Sequence, residues 1–185
     1  MQSLETERLL LREFVKSDWK AVHEYASDPE VVRFLEWGPN SQNETINFLE
    51  GTLACQKEKP RRIFEFAIVL KSENKLIGAC GIRINDHDVM QAEVGYCYNR
   101  SYWGNGYAQE ACKTVIHFGF DQLGLHRIVA SCDSNNLASA GVLRKAGMRQ
   151  EGHFIQERRV RGEWRDTLQF AILKDEFTSK NGALK

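Results

Sequence analysis

At 185 residues, the chain is long enough for one well-buried core and short for two ordinary domains, so residues 1–177 are expected to form a single domain, with 178–185 a frayed tail. Hydrophobic residues make up 42% and charged residues 27%, without repeats or low-complexity runs, as in a globular protein. The 25 basic and 25 acidic residues cancel, which argues against a general nucleic-acid or membrane-surface binder and leaves only a local basic patch open.

Near the N-terminus the apolar run Leu9–Leu11 is flanked by charges. It is neither a signal peptide nor a membrane span, and a cytoplasmic location is expected. Arg8 to Phe14 reads as the first strand. Ser17 or Asp18 caps a helix over Trp19 to Ala26, which Asp28-Pro29 terminates. Val31, Val32, Phe34, Leu35 and Trp37 then form an apolar cluster, either core or the lining of a cleft. Ser41 or Asn43 opens a helix with Ile46, Leu49 and Leu53 on one face, running to about Lys59-Pro60.

Ile63–Leu70 and Leu76–Asn85 read as a hairpin joined by Lys71 to Asn74. A strand over Ala92–Asn99 extends the meander after the polar turn Asn85 to Asp88. A helix over Tyr107–Gln122 leads to a short buried strand, Arg127–Cys132, which suggests a parallel crossover. The next helix has both ends written, with capping residues from Asp133 to Asn136 before it, Arg144 and Lys145 in its last turn, and Gly147 as terminator. Met148–Arg159 and Asp166–Leu173 are two long strands around a turn carrying Arg161-Gly162-Glu163-Trp164. The five cysteines (Cys55, Cys80, Cys97, Cys112, Cys132) are odd in number and form no CxxC pair, and the histidines show no HExxH. Reduced thiols and no metal site are expected.

The chain is organised around Ala92–Ala111. Ala92, Val94, Tyr96 and Tyr98 alternate with Glu93, Gly95 and Cys97, which puts Glu93 on the face opposite the apolar set. The strand ends in a turn containing Gly104 and Gly106, and a helix begins at once. A helix start has unpartnered N–H groups and positive potential, and glycines let a phosphate approach them. A phosphate-bearing ligand and a plain turn are both compatible with this stretch alone. No GxxxxGK[ST] occurs, and the dinucleotide fingerprint lacks its third glycine or alanine.

Taken together, Thr6-Glu7-Arg8-Leu9, Ala92 to Tyr96, Tyr102 to Ala108 with Glu110-Ala111, Asn136 to Ser139 with Leu143, Lys145, Ala146 and Gly147, and Gly162 to Asp166 resemble the GCN5-related N-acetyltransferase (GNAT) superfamily, of the ribosomal-protein (RimJ/RimL-like) type. The resemblance covers nearly the whole chain. It implies a mixed α/β fold, with a mostly antiparallel, splayed sheet of about seven strands and helices on both faces, binding acetyl-CoA. Trp103, Gly104, Asn105, Gly106, Tyr107 and Ala108 match the loop that wraps the pyrophosphate, Tyr96, Cys97 and Tyr98 the strand that meets pantetheine, and Asn136 and Ser139 positions near the thioester. Two departures stand out. Trp103 occupies the place of a common Gln or Arg, and Leu143 replaces the tyrosine often used as general acid.

The implied reaction is direct attack of an amine on the acetyl thioester in a ternary complex. Glu93 is the candidate general base, with an ion-pair or hydrogen-bond role inside the sheet as the alternative. Ser139 is the candidate donor to the departing sulfur, with a local role in its helix as the alternative. Trp37, Glu93 and Trp164 are candidates for acceptor binding. Cys97 has no adjacent histidine to make it a nucleophile. The expected acceptor is a protein N-terminal α-amine. A small amine such as a polyamine or aminoglycoside, and a non-catalytic acyl-CoA sensor, are the alternatives. Glu36, Glu44 and Asp86 to Asp88 are the carboxylates a polycation would need. A homodimer is compatible with the long final strands.

Overall fold

The computed structural model describes residues 3–86 and 90–177. Among them eight strands form one sheet: β1 (Ser3–Glu5), β2 (Leu9–Glu13), β3 (Ile63–Leu70), β4 (Lys75–Asp86), β5 (Gln91–Tyr98), β6 (Arg127–Asp133), β7 (Arg149–Val160) and β8 (Glu163–Leu173). Their order is β1-β2-β3-β4-β5-β6-β8-β7, and every pairing is antiparallel except that of β5 with β6. The seven expected strands are present. The additional one, β1, is a three-residue edge segment, too short for alternation to reveal it.

Helices α1 (Trp19–Ala26), α2 (Pro29–Val32) and α3 (Gln42–Cys55) cover one face, and α4 (Tyr107–Asp121) and α5 (Leu137–Lys145) the other. β3 is buried from Phe66 to Leu70, as a strand covered on both sides must be. Phe64 and Phe66 meet Phe118 of α4 edge-on, with ring centroids 5.3 and 5.6 Å apart. Ala67 and Val69 point the other way, into the cluster of Val22, Tyr25, Val32 and Leu49.

Local chemistry sets several boundaries apart from the sequence expectation. Asp18 stands at the start of α1 without capping it, because its carboxylate accepts two bonds from Arg12 (2.7 and 2.8 Å) and one from the Val15 N–H (2.9 Å). Asp28 does more than end α1. Its Oδ1 accepts from the Glu30 N–H (2.9 Å) and opens α2, with Pro29 in the first turn. Ser41 and Glu44 form the capping box of α3, which stops at Cys55, short of Lys59-Pro60. The β7–β8 turn is only Arg161-Gly162, both at positive φ (50° and 88°), so Glu163 and Trp164 belong to β8.

The sheet is split by its one parallel joint. β5 and β6 register only at Gln91–Arg127, Ala92–Ile128 and Glu93–Val129. Beyond these pairs β5 stays with β4 as far as Tyr98, and β6 stays with β8 as far as Asp133. Each half follows its own twist and a wedge opens between them. α4 makes the crossover that a parallel pair requires.

Two glycines report how tightly the halves are built. A Cβ on Gly78 of β4 would lie 2.5 Å from the Cys97 carbonyl oxygen on β5, whereas one on Gly119 of α4 would meet the methyl ends of Ile82 and Ile128 at 2.8 Å. Gly119→Ala is expected to destabilise by about 1–2 kcal/mol, since helix propensity offsets part of the overpacking. Gly78→Ala should lower the urea midpoint further, because a backbone carbonyl cannot rotate away.

Candidate active site

The wedge is the mouth of a cleft of about 1230 Å³. β5 divides it. Val94, Tyr96 and Tyr98 turn toward the α4–α5 side, while Glu93, Gly95 and Cys97 turn toward the α1–α3 side. Past Glu93 the backbone edge of β5 facing β6 has no strand partner, so its N–H and C=O groups are open to an extended ligand.

At one end of the cleft lies the start of α4. Gly104 and Gly106 adopt φ of +79° and +80°, and Gly106 stands at the N-cap, where no side chain caps the helix. A Cβ on Gly104 would meet nothing within 4 Å. The loop beside the first turn of α4 is therefore open, and the unpartnered N–H groups of a helix start would favour an anion there. The loop is braced from behind. Arg8 donates to the Asn105 carbonyl (3.0 Å) and to Glu110 Oε2 (2.7 Å), and its guanidinium lies 4.6 Å from the Tyr107 ring centroid. Thr6 also donates to Glu110 (2.5 Å). Burial alone would raise the Glu110 carboxyl, but hydrogen bonds from Thr6 and Arg8 hold it below its usual range. A negative charge in the first turn of α4 is thereby neutralised before any phosphate arrives. Trp103, 48% exposed, donates its indole N–H to the Tyr98 carbonyl (2.9 Å) and ties the loop to the end of β5.

On the same side, the Tyr96 hydroxyl reaches across to α5 and lies 2.9 Å from Ser139 Oγ and 3.0 Å from the Ser139 carbonyl oxygen. Burial raises Tyr96 well above an ordinary phenol, so its hydroxyl stays neutral. Leu143 is buried in the core here and offers no proton. Asn136 caps α5 by accepting the Ser139 N–H (3.0 Å).

On the α1–α3 side, Glu93 Oε1 accepts from Ser131 Oγ (3.3 Å). Arg158 donates in turn to Ser131 Oγ (3.1 Å) and to Glu36 Oε1 (2.5 Å). Burial pushes the neighbouring Cys97 thiol up to about 12, with Glu65 adding to the shift, so it stays protonated at neutral pH. Trp37, 43% exposed, lines the outer wall together with Phe34 and Phe48. That wall hangs on Arg161 at the tip of the β7–β8 hairpin, which donates to the carbonyl oxygens of Val32 (3.3 Å), Leu35 (3.1 Å), Trp37 (2.9 Å) and Gly38 (2.7 Å).

The cleft gathers Trp37, Glu93, Tyr96, Cys97, Tyr98, Trp103, Gly104, Gly106, Tyr107, Ala108, Asn136 and Ser139. Two of the residues singled out from sequence lie outside its lining. Asn105 folds the loop from behind, its amide donating to the carbonyls of Tyr102 (3.3 Å) and Trp103 (3.1 Å). Trp164, 59% exposed, registers with Arg159, on the side of the ribbon away from Arg158 and Arg165. The sequence reading missed three contributors: Arg8 as the brace of the cradle, the Tyr96 side chain as partner of Ser139, and Glu65. The Glu65 carboxyl lines the cleft and is raised by burial to about 7, against a lowering by Arg83. Only its isolation as the one charge in the apolar run Ile63–Leu70 marked it beforehand.

Gly106→Ala must hold a Cβ at φ near +80°, a strain of about 1–2 kcal/mol. It is expected to weaken coenzyme A binding about tenfold in calorimetry, and Arg8→Ala should weaken it to a lesser degree. If the pair acts on the departing sulfur, Ser139→Ala and Tyr96→Phe should each lower kcat at saturating coenzyme and leave its affinity within about twofold.

The chain matches the family model of the acetyltransferase (GNAT) domain over residues 8–149. It is 35% identical over 174 residues to the uncharacterized N-acetyltransferase YnaD of Bacillus subtilis (strain 168), a match covering 93% of this chain and 97% of that one. The solved acetyltransferase (GNAT family) from Bacillus anthracis superposes with a TM-score of 0.83 at 34% identity, covering 94% and 99% of the two chains. The fold is shared with the ribosomal-protein-S5-alanine acetyltransferase from Vibrio fischeri (TM-score 0.81, 25% identity, 96% and 99% covered). It is shared equally with the spermidine N-acetyltransferase from Vibrio cholerae solved with CoA and spermine (TM-score 0.80, 18% identity, 93% and 99% covered). With its open-edged strand and its glycine cradle, the chain belongs to the GNAT acetyltransferases and is an acetyl-CoA-dependent N-acetyltransferase.

Proposed function

We propose that the acceptor is a protein N-terminal α-amine, acetylated in the cytoplasm by direct attack in a ternary complex. The observation that carries this reading is the charge balance of the acceptor side. Glu36 is engaged by Arg158 (2.5 Å), Asp133 faces Arg165 (3.7 Å), and Asp166 accepts from the Gln156 N–H (2.9 Å) and sits 3.1 Å from His153. Glu44 is occupied in the capping box of α3, outside the cleft lining. The side chains of Asp86 to Asp88 lie outside the described residues. A polycation would call for converging carboxylates without matching cations. A single terminal amine beside an open wall of Phe34, Trp37 and Phe48 fits this arrangement better, and the fold neighbour that acts on ribosomal protein S5 supports the reading. Glu30 and Glu65 on the same wall favour a polyamine as the second reading.

Acetyl-CoA supplies the activated acyl group and a thiol leaving group. The backbone edge of β5 near Tyr96 would polarise the thioester carbonyl. Glu93 would take a proton from the attacking nitrogen, directly or through a water, and the Ser139–Tyr96 pair would protonate the sulfur. Deprotonating an α-ammonium at pH 7 costs about 1 kcal/mol, against about 4.6 kcal/mol for a lysine, so the site needs only modest base strength.

Free-thiol release from acetyl-CoA is expected with alanine-, serine- and methionine-initiated peptides bearing free N-termini. Turnover confined to spermidine, spermine or an aminoglycoside replaces the reading with a small-amine acceptor. Glu93→Gln should lower kcat at pH 7 and recover it at high pH. An unchanged pH profile removes Glu93 from the role of base.

A further inference from the structure

We propose that Glu65 on β3 is the carboxylate that receives the acceptor ammonium and takes its first proton, leaving Glu93 to take the second. The proposal rests on the amine-acetylation reading and adds a residue that β3, two strands away from β5, brings to the site.

The geometry is a trough cut across three strands. Glu65 registers with Gly81 on β4, and Gly81 registers with Gly95 on β5. The Glu65 side chain is laid over Gly81, so closely that a Cβ there would sit 2.2 Å from Oε2. Above Gly95 a Cβ would meet nothing within 4 Å. The carboxylate thus lies about one strand spacing, ~4.8 Å, from the β5 backbone just where that strand parts from β6. Two neighbouring glycines clear the path between them. From α1, the Tyr25 hydroxyl lines the same cleft at 3% exposure of the residue, with no hydrogen-bond partner. Among the described residues nothing donates a hydrogen bond to the Glu65 carboxylate. A buried hydroxyl and a recessed carboxylate, neither hydrogen-bonded among the described residues, line the same cleft.

The proton count requires two acceptors. An ammonium loses one proton before its lone pair can attack, and another as the C–N bond forms. In the first step an N–H bond breaks with its electron pair left on nitrogen, and the proton moves to a Glu65 oxygen. The second proton passes to Glu93, the departing sulfur takes one from the Ser139–Tyr96 pair, and the proton held by Glu93 returns through solvent to that pair, so both are reset. Glu65 releases its proton to solvent when the product leaves, so one proton is produced per acetyl group transferred.

The surroundings suit that first transfer. Burial, eased by Arg83 of β4, raises Glu65 to about 7, within about one pH unit of an α-ammonium. The other titratable groups facing it are Tyr25 of α1 and Cys97 of β5, with Cys80 of β4 beyond. All three are raised by burial and stay neutral where Glu65 titrates.

The test compares wild type with Glu65→Gln on an alanine-initiated hexapeptide, or on spermidine if that is the amine the wild type acetylates. In wild type the acid limb of kcat/KM should break near 7. In the variant it should break at the amine's own ionisation, near 8 for an α-amine, giving about a tenfold loss at pH 6.5 that vanishes above pH 9. A loss equal at every pH, or no loss, overturns the proposal. Two readouts do not need turnover. In protein labelled with 13C at the glutamate carboxyls, one resonance absent from Glu65→Gln should titrate near 7 in the free protein, and a break in the ordinary carboxylate range overturns the proposal. The raised carboxyl favours the fold while protonated and loses that contribution as pH rises from about 4.5 through 7. The variant's thermal midpoint should therefore match wild type at pH 4 and exceed it at pH 8, with coenzyme A binding unchanged, and no such crossover counts against it. Turnover of spermidine alone removes the α-amine reading and leaves the Glu65 profile to be judged on spermidine.

Discussion

The structure depends on a joint that fails to continue. Three registered pairs hold β5 to β6, and after them two well-paired half-sheets go their own ways. Exposing strand edges inside a protein is costly unless something satisfies them. Here the open edge of β5 faces the cleft, where an extended ligand would satisfy it. The crossover that makes the joint parallel also delivers the N-terminus of α4 to the mouth of the opening. The return through α5 puts Ser139 opposite Tyr96 on the far lip. One topological requirement thus brings the N-terminus of α4 and the Tyr96–Ser139 pair to the same opening.

β5 is also a partition. Its even-numbered residues, Val94, Tyr96 and Tyr98, pack toward α4 and α5, and its odd-numbered residues, Glu93 and Gly95, line the cleft on the other side, which the proposed mechanism assigns to the thiol and the amine respectively. Because a strand alternates faces by construction, two opposed proton tasks are kept a few ångströms apart without a wall between them. Cys97 shows the other side of this arrangement. A thiol beside the reacting centre could compete for the acetyl group, yet its burial and a nearby carboxylate keep it protonated and unreactive.

Much of this was legible in the sequence. The alternation of Ala92 to Tyr98, the Gly104–Gly106 turn and the Asn136–Gly147 helix with both ends written are local signals. They gave the right elements because local chemistry decides them. What stayed hidden was non-local. Arg8 braces a loop nearly a hundred residues away, and Tyr96 finds Ser139 only once the crossover is formed. Asp18 has the chemistry of a helix cap and spends it on Arg12. The turn after Val160 is tighter than its composition suggested, which carries Trp164 onto a strand and away from the cleft. Glu65 was hidden because its own apolar run does not show that the residue facing it on β4 is Gly81.

The Arg161 clamp ties two distant stretches of chain into one length standard. Its guanidinium reaches the end of α2 and the carbonyls of Trp37 and Gly38 beyond it only because the β7–β8 hairpin stops where it does. A strand advances about 3.3 Å per residue, so adding or removing two residues in each strand of the hairpin would carry the clamp about 7 Å past its carbonyls. The outer wall of the acceptor cleft would then have to be redrawn at the same time. Segment 33–38 and the hairpin are one mechanical unit, so redesigning either while keeping this wall in place means adjusting both together.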